Sequence, residues 1–147
     1  MTTDTTKETR RSDRIATWRD LAEDNRFVVY EMIRSRRWWR SCVSRAYYAV
    51  YSAATDELIR RGLSMPVGRE GSSHAKIPEI VGNHLTGVSH SLRWRLAGII
   101  RRLYRSRIMA DYMPTALIEE AEAKLSVNLM SQALRILRDE TWRRQTP

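Results

Sequence analysis

The apolar residues of this chain recur at three- and four-residue spacing almost from end to end, and no segment alternates with period two. That pattern leaves the helix as the regular element, and helix-on-helix packing as the way to build a core. Ile15, Trp18, Leu21, Ala22, Val28, Val29, Met32 and Ile33 mark a first helix from Ser12. A second runs from Trp39 to Arg61 on the stripe Val43, Ala46, Tyr47, Val50, Ala53, Ala54 and Leu58, with Gly62 as its stop. Pro66, Gly68 and Gly71 make residues 62–73 a loop. A short helix follows from His74 or Pro78 to Asn83, then a long one from Ser91 to about Asp111. Pro114-Thr115 opens the last, which ends near Arg138. The expected fold is all-α, an antiparallel helical bundle of four long helices plus one short one. It occupies residues 12–140, between a disordered tail over 1–11 and a C-terminal tail over 141–147.

Composition narrows the function classes. With 147 residues and 42% hydrophobic content, one packed domain is within reach. No apolar run approaches the roughly 20 residues needed to span a bilayer, and no apolar segment follows the polar start. A cytoplasmic protein without a membrane segment is therefore expected. Cys42 is alone, so no internal disulfide and no cysteine-based zinc site can form. His84 and His90 lack the helical spacing of a metal pair. No Gly-rich phosphate cradle and no Ser/His/Asp triad is legible, so no cofactor is expected.

Charge is more specific. The formal net charge is +9, and 23 of the 26 cations are arginines. Between Glu31 and Asp56 stand Arg34, Arg36, Arg37, Arg40 and Arg45 with no acid. Between Glu79 and Asp111 stand Arg93, Arg95, Arg101, Arg102, Arg105 and Arg107, again with none. Trp38, Trp39, Trp94 and Tyr104 are interleaved. Such blocks attract phosphate backbones, and arginine stacks on unpaired bases. A solvated basic face and a GC-rich coding bias give the same counts.

The late helix contains an exception to its own pattern. At about 100° per residue, Leu92, Leu96, Ile99, Ile100, Leu103 and Ala110 share one arc, and Arg101, Arg102 and Arg105 lie opposite. Arg107 projects from inside the apolar arc. A guanidinium there needs a partner, and Asp111, one turn on, is the nearest. Either the two form a structural pair, or Arg107 faces a cleft or an interface.

Three segments together resemble the HEPN superfamily of small helical proteins. They are Ser44-Arg45-Ala46-Tyr47-Tyr48-Ala49-Val50-Tyr51; Gly62-Leu63 followed by Ser73-His74-Ala75-Lys76; and Leu103-Tyr104 with Arg107 and Ala110-Asp111-Tyr112. The resemblance covers residues 14–138. It implies a homodimer and a metal-independent ribonuclease, as in bacterial toxin–antitoxin or phage-defence systems. It also implies a partner such as a nucleotidyltransferase antitoxin or another defence-system subunit. The family's signature pairs an arginine with a histidine after four to six residues. Arg107 occupies the arginine position, but Tyr112 stands where histidine is expected, and a phenol is a poor base at neutral pH. Arg69 and His74 share that spacing, which 23 arginines and three histidines produce by chance.

The resulting candidates are Arg107, Asp111, Tyr112 and His74 for catalysis, and Arg45, Tyr48, Arg101, Arg102 and Arg105 for RNA. Tyr47 is expected in the core, Trp38-Trp39 as a wedge at a helix junction, and Arg45 paired with Asp56 or Asp111. The competing expectation is a non-catalytic binding or scaffolding subunit that works through a partner. Duplex DNA is a third reading, without a legible recognition helix.

Overall fold

The computed structural model describes residues 17–63 and 73–145. Five helices occupy them: α1 Trp18–Ser35, α2 Trp39–Arg60, α3 Ser73–His84, α4 His90–Tyr112 and α5 Glu120–Gln145. No strand occurs among the described residues, only an isolated bridge between Thr86 and Val88. The fold is the all-α bundle that periodicity implies, with four long helices and one of 12 residues. The expected tail over 1–11, the start of the first helix at Ser12 and most of the loop lie outside the described residues.

Helix α2 is the axis, and all four other helices pack on it. Its expected stripe is buried, with Val43, Ala46, Tyr47, Val50, Ala54 and Leu58 sealed and Ala53 partly so. The opposite side is lined by Ala49 and Ser52, both fully buried. Small side chains there let a second layer of helix approach.

Contacts between named residues fix the antiparallel order. Asn25 meets Arg45 across α1 and α2. Tyr48 and Ser44 meet Arg107 and Asp111 across α2 and α4. Arg95 and Ser106 meet Gln132 and Glu122 across α4 and α5. Tyr30 meets Ser131 across α1 and α5.

Local chemistry sets the helix ends. Thr17 caps α1, its Oγ1 accepting from the Asp20 amide at 3.1 Å. After α2, Gly62 takes φ 81°. The Leu63 and Gly62 amides then reach back to the Leu58 and Ile59 carbonyls at 3.1 and 2.9 Å, a Schellman arrangement. Gly82 has a packing role: a Cβ there would sit 2.6 Å from the Trp94 indole, so α3 lies directly on that ring.

The last helix departs from expectation at both ends. It begins at Glu120 rather than at Pro114-Thr115, and the reason is Arg40. The guanidinium of this α2 residue takes the carbonyls of Met109, Ala110, Met113 and Pro114 at 3.3, 3.0, 3.0 and 3.2 Å, and that of Ala116 as well. Carbonyls at the end of α4 lack intrahelical partners and carry negative partial charge, so one cation caps several at once. Residues 113–119 wrap around it instead of coiling, and Ile118 drops into the core. At the other end α5 runs on to Gln145, through most of the span expected to be a tail.

Replacing Arg40 with Met keeps the aliphatic stem and removes every one of these bonds. The expected result is a loss of about 2 kcal/mol, the scale of charge-assisted hydrogen bonds left unmade. Urea unfolding measures it, and an unchanged midpoint would contradict the capping role.

Candidate functional site

Near the C-terminal end of α4, the Arg107 side chain enters the bundle only 8% exposed. Its Nε donates to Asp111 Oδ2 at 3.0 Å, and its Nη2 to the Tyr48 hydroxyl at 2.7 Å and the Tyr112 hydroxyl at 3.3 Å. The guanidinium carbon also lies 5.2 Å from the Tyr48 and Tyr112 ring centres and 5.9 Å from that of Tyr47. Burial opposes the charge, but Tyr48, Tyr112 and Asp111 outweigh it and hold the group above its ordinary pKa. Asp111 is itself oriented by the Ser44 hydroxyl at 3.0 Å. Nη1 has no hydrogen-bond partner among the described residues, yet it is not among the sealed, unpartnered polar atoms. Among the described residues that nitrogen is the part of the buried cation that no protein group engages.

His74, in the first turn of α3, approaches the same cluster. Its ring stacks on Tyr51 at 4.2 Å, and its Nδ1 is 2.7 Å from the Tyr47 hydroxyl. Tyr47 is fully buried and its phenol is pushed up strongly, chiefly by burial, so it stays protonated at any physiological pH. Burial, and then the charge of Arg107, lower the His74 pKa below its usual value. The imidazole is therefore neutral at pH 7. Arg107, Asp111, Tyr112 and His74 converge with Tyr48 around Tyr47, although 33 positions separate His74 from Arg107 in sequence.

The remaining candidates divide. Arg45 does not pair with Asp56 or Asp111. It donates to Asn25 Oδ1 at 3.1 Å, because its position on α2 turns it toward α1. Arg102 is exposed and lies 3.8 Å from Glu122. Arg101 and Arg105 are exposed, with no ion pair among the described residues. At about 100° per residue they share an outer stripe of α4 with Trp94 and Tyr112. Tyr112 is 65% exposed, and its hydroxyl touches Arg107. Two cations without an ion pair among the described residues thus lie on the outer side of the helix that carries the buried one.

Four of the five arginines of the first basic block are engaged by other residues of the fold. Arg34 pairs with Glu31 and Arg36 with Glu120, Arg40 caps α4 and Arg45 meets Asn25. Arg93 is bonded to the carbonyls of Gly82 and Val88. Of the tryptophan pair, Trp39 packs against the core, while Trp38 is 61% exposed at φ 54°. Cys42 is sealed in the core, and burial pushes its thiol up to about 11, which leaves it unreactive. Among the described residues no three His, Cys, Asp or Glu side chains gather as a metal site would need, and no helix is long and apolar enough to cross a membrane.

Arg40 and Ser44 are members of this site's support that sequence reasoning missed. Arg40 counted only as one cation of a basic block. Ser44 appeared only within a motif, although its i−4 and i+4 neighbours on α2, Arg40 and Tyr48, also face α4.

The lowered His74 pKa has a definite stability consequence. Between the folded value and about 6.5, the unfolded chain binds more protons than the folded one. Stability from the neutral imidazole is therefore complete above about pH 6.5 and is lost as pH falls through the folded value. The Tm of wild type is expected to fall more steeply from pH 7.5 to 5 than that of His74→Gln, by calorimetry; parallel curves would contradict the assigned environment. No family model, curated protein or solved structure matches this chain, so its site is read from its own geometry.

Proposed function

We propose that this chain is an RNA-directed, HEPN-like protein in which Arg107 holds a phosphate and His74 serves as the base. The observation that carries the reading is a guanidinium fixed by Asp111, Tyr48 and Tyr112, with Nη1 unbonded among the described residues, while a neutral imidazole bonds the hydroxyl of Tyr47, near whose ring the guanidinium also lies. Holding a cation at fixed geometry in a water-poor setting is how a site stabilises charge developing on a phosphoryl oxygen. Arg101 and Arg105 supply the field that draws a polyanion toward it, and exposed Tyr112 gives a base a face to stack on.

In this reading the Tyr47 oxygen accepts from His74 Nδ1–H, so the Nε2 lone pair is free to take the proton of a ribose 2′-hydroxyl. The 2′-oxygen attacks the adjacent phosphorus, the bond to the 5′-oxygen breaks, and a 2′,3′-cyclic phosphate forms. A proton from solvent completes the leaving hydroxyl. This chemistry requires no metal. Tyr112 takes no proton; its hydroxyl helps to seat Arg107. The setting proposed is a bacterial toxin–antitoxin or phage-defence system, as a homodimer, with a nucleotidyltransferase antitoxin or another defence-system subunit as partner.

A second reading has its own support. Asp111, Tyr48 and Tyr112 already engage Arg107 through three hydrogen bonds, and Tyr112 stands where the family's histidine is expected. These fit a non-catalytic binding or scaffolding subunit whose arginine is structural.

RNA cleavage in EDTA by wild type, Arg107→Lys and His74→Gln separates the two. Arg107→Lys keeps the buried charge but loses the fork. On the catalytic reading it loses ~10²-fold or more in rate, and His74→Gln loses ~10²- to 10⁴-fold, while both variants still melt cooperatively. Cleavage unchanged in both would overturn the site assignment. RNA bound but uncut by wild type, with a lower Tm in Arg107→Lys, would establish the scaffolding reading.

A further inference from the structure

A second feature lies on another part of the molecule, where α1 and α5 flank the C-terminal half of α2. There a groove of about 480 Å³ opens between the three helices, within the roughly 300–1,000 Å³ of small-molecule sites. Its hollow comes from small side chains: Ala22 of α1 and Ala53 of α2 leave space that larger residues would fill, and Leu134 and Leu137 of α5 add apolar wall. Tyr30 stiffens one side, its hydroxyl bonded to Ser131 at 2.8 Å and its ring under Arg26 at 5.4 Å.

The charges around this groove do not balance. It is lined by five arginines, at 19, 26, 60, 135 and 138, against Glu23, Asp56 and Glu57. Every carboxylate is already engaged. Glu23 faces Arg26 at 3.4 Å and Arg138 at 3.8 Å, Asp56 faces Arg60 at 2.9 Å, and Glu57 holds Arg61 at 2.7 Å. Arg19 of α1 and Arg135 of α5 have no ion pair among the described residues. Among the described residues, two guanidinium groups from different helices therefore border one cavity without an ion pair.

We propose that this groove binds a small organic phosphate of mononucleotide size. Arg19 and Arg135 take the phosphate, and the Ala22–Ala53–Leu134 wall takes the apolar or ring portion. Planar, weakly hydrated guanidinium groups match phosphate oxygens in a fork, and the wall rewards an organic part that inorganic phosphate lacks. The site is separate from the Arg107 cluster and does not depend on it.

The test titrates the full-length protein with 5′-AMP and, separately, with inorganic phosphate at low salt, reading Tm and calorimetric heat. Arg19→Gln/Arg135→Gln is compared with Arg34→Gln/Lys76→Gln, which removes the same charge from other exposed positions. AMP is expected to raise the Tm by about 5 °C near saturation, and phosphate to bind at least about tenfold more weakly. AMP affinity should fall about tenfold or more in the Arg19/Arg135 variant and hold in the other pair. The proposal is overturned if AMP at millimolar concentration gives neither shift nor heat, or if AMP and phosphate act equally. It is overturned equally if the Arg19/Arg135 variant keeps its affinity, or if both variants lose it alike.

Discussion

Putting a guanidinium into the interior of a helical bundle imposes a demand that much of the surrounding structure meets. Arg107 on its own would be intolerable at 8% exposure. Asp111 supplies the charge, Tyr48 and Tyr112 supply acceptors and ring faces, and Ser44 fixes the aspartate. These groups come from two helices, so the polar cluster also sets the register of α2 against α4. Neutral His74 and the protonated Tyr47 phenol complete the surroundings without adding a second charge. A site with one fixed cation and one uncharged imidazole follows from that electrostatic constraint.

A second arginine holds the first in place from outside. Arg40 lies one helical turn before Ser44 on α2, and its guanidinium gathers the open carbonyls that end α4. The turn of α4 that carries Asp111 and Tyr112 is thereby fixed, and the chain is redirected before α5 begins. The unusual left-handed conformations of Arg36 and Trp38, just before α2, deliver Arg40 to this position. Backbone of that kind costs energy in non-glycine residues, and the carbonyl clamp offsets it.

Much of the arginine excess is thus engaged within the chain. Eleven cations stand without an intervening acid in two sequence blocks, but Arg40 and Arg93 bond carbonyls, and Arg36 and Arg102 meet carboxylates of another helix. Among the described cations without an ion pair, Arg101 and Arg105 share an outer stripe of α4, and Arg19 and Arg135 border the groove. A linear count of charge could not separate these sets, because ion pairing between helices ignores distance along the chain.

The sequence by itself determined the helical class, the limits of α2, its buried stripe and the anomaly of Arg107. All of these follow from the 3.6-residue period and from local stop signals, which act over one or two turns. The Arg107–Asp111 pair was legible for the same reason, being an i, i+4 contact. Tertiary structure decided what joins that pair. His74 meets the cluster only because α3 folds onto α2. Arg45 turns to Asn25 rather than to an acid, and the start of α5 at Glu120 is delayed by the guanidinium of Arg40, 80 positions earlier. Each of these depends on which helices pack side by side, and hydrophobic burial, which has no direction of its own, leaves that choice to the whole chain.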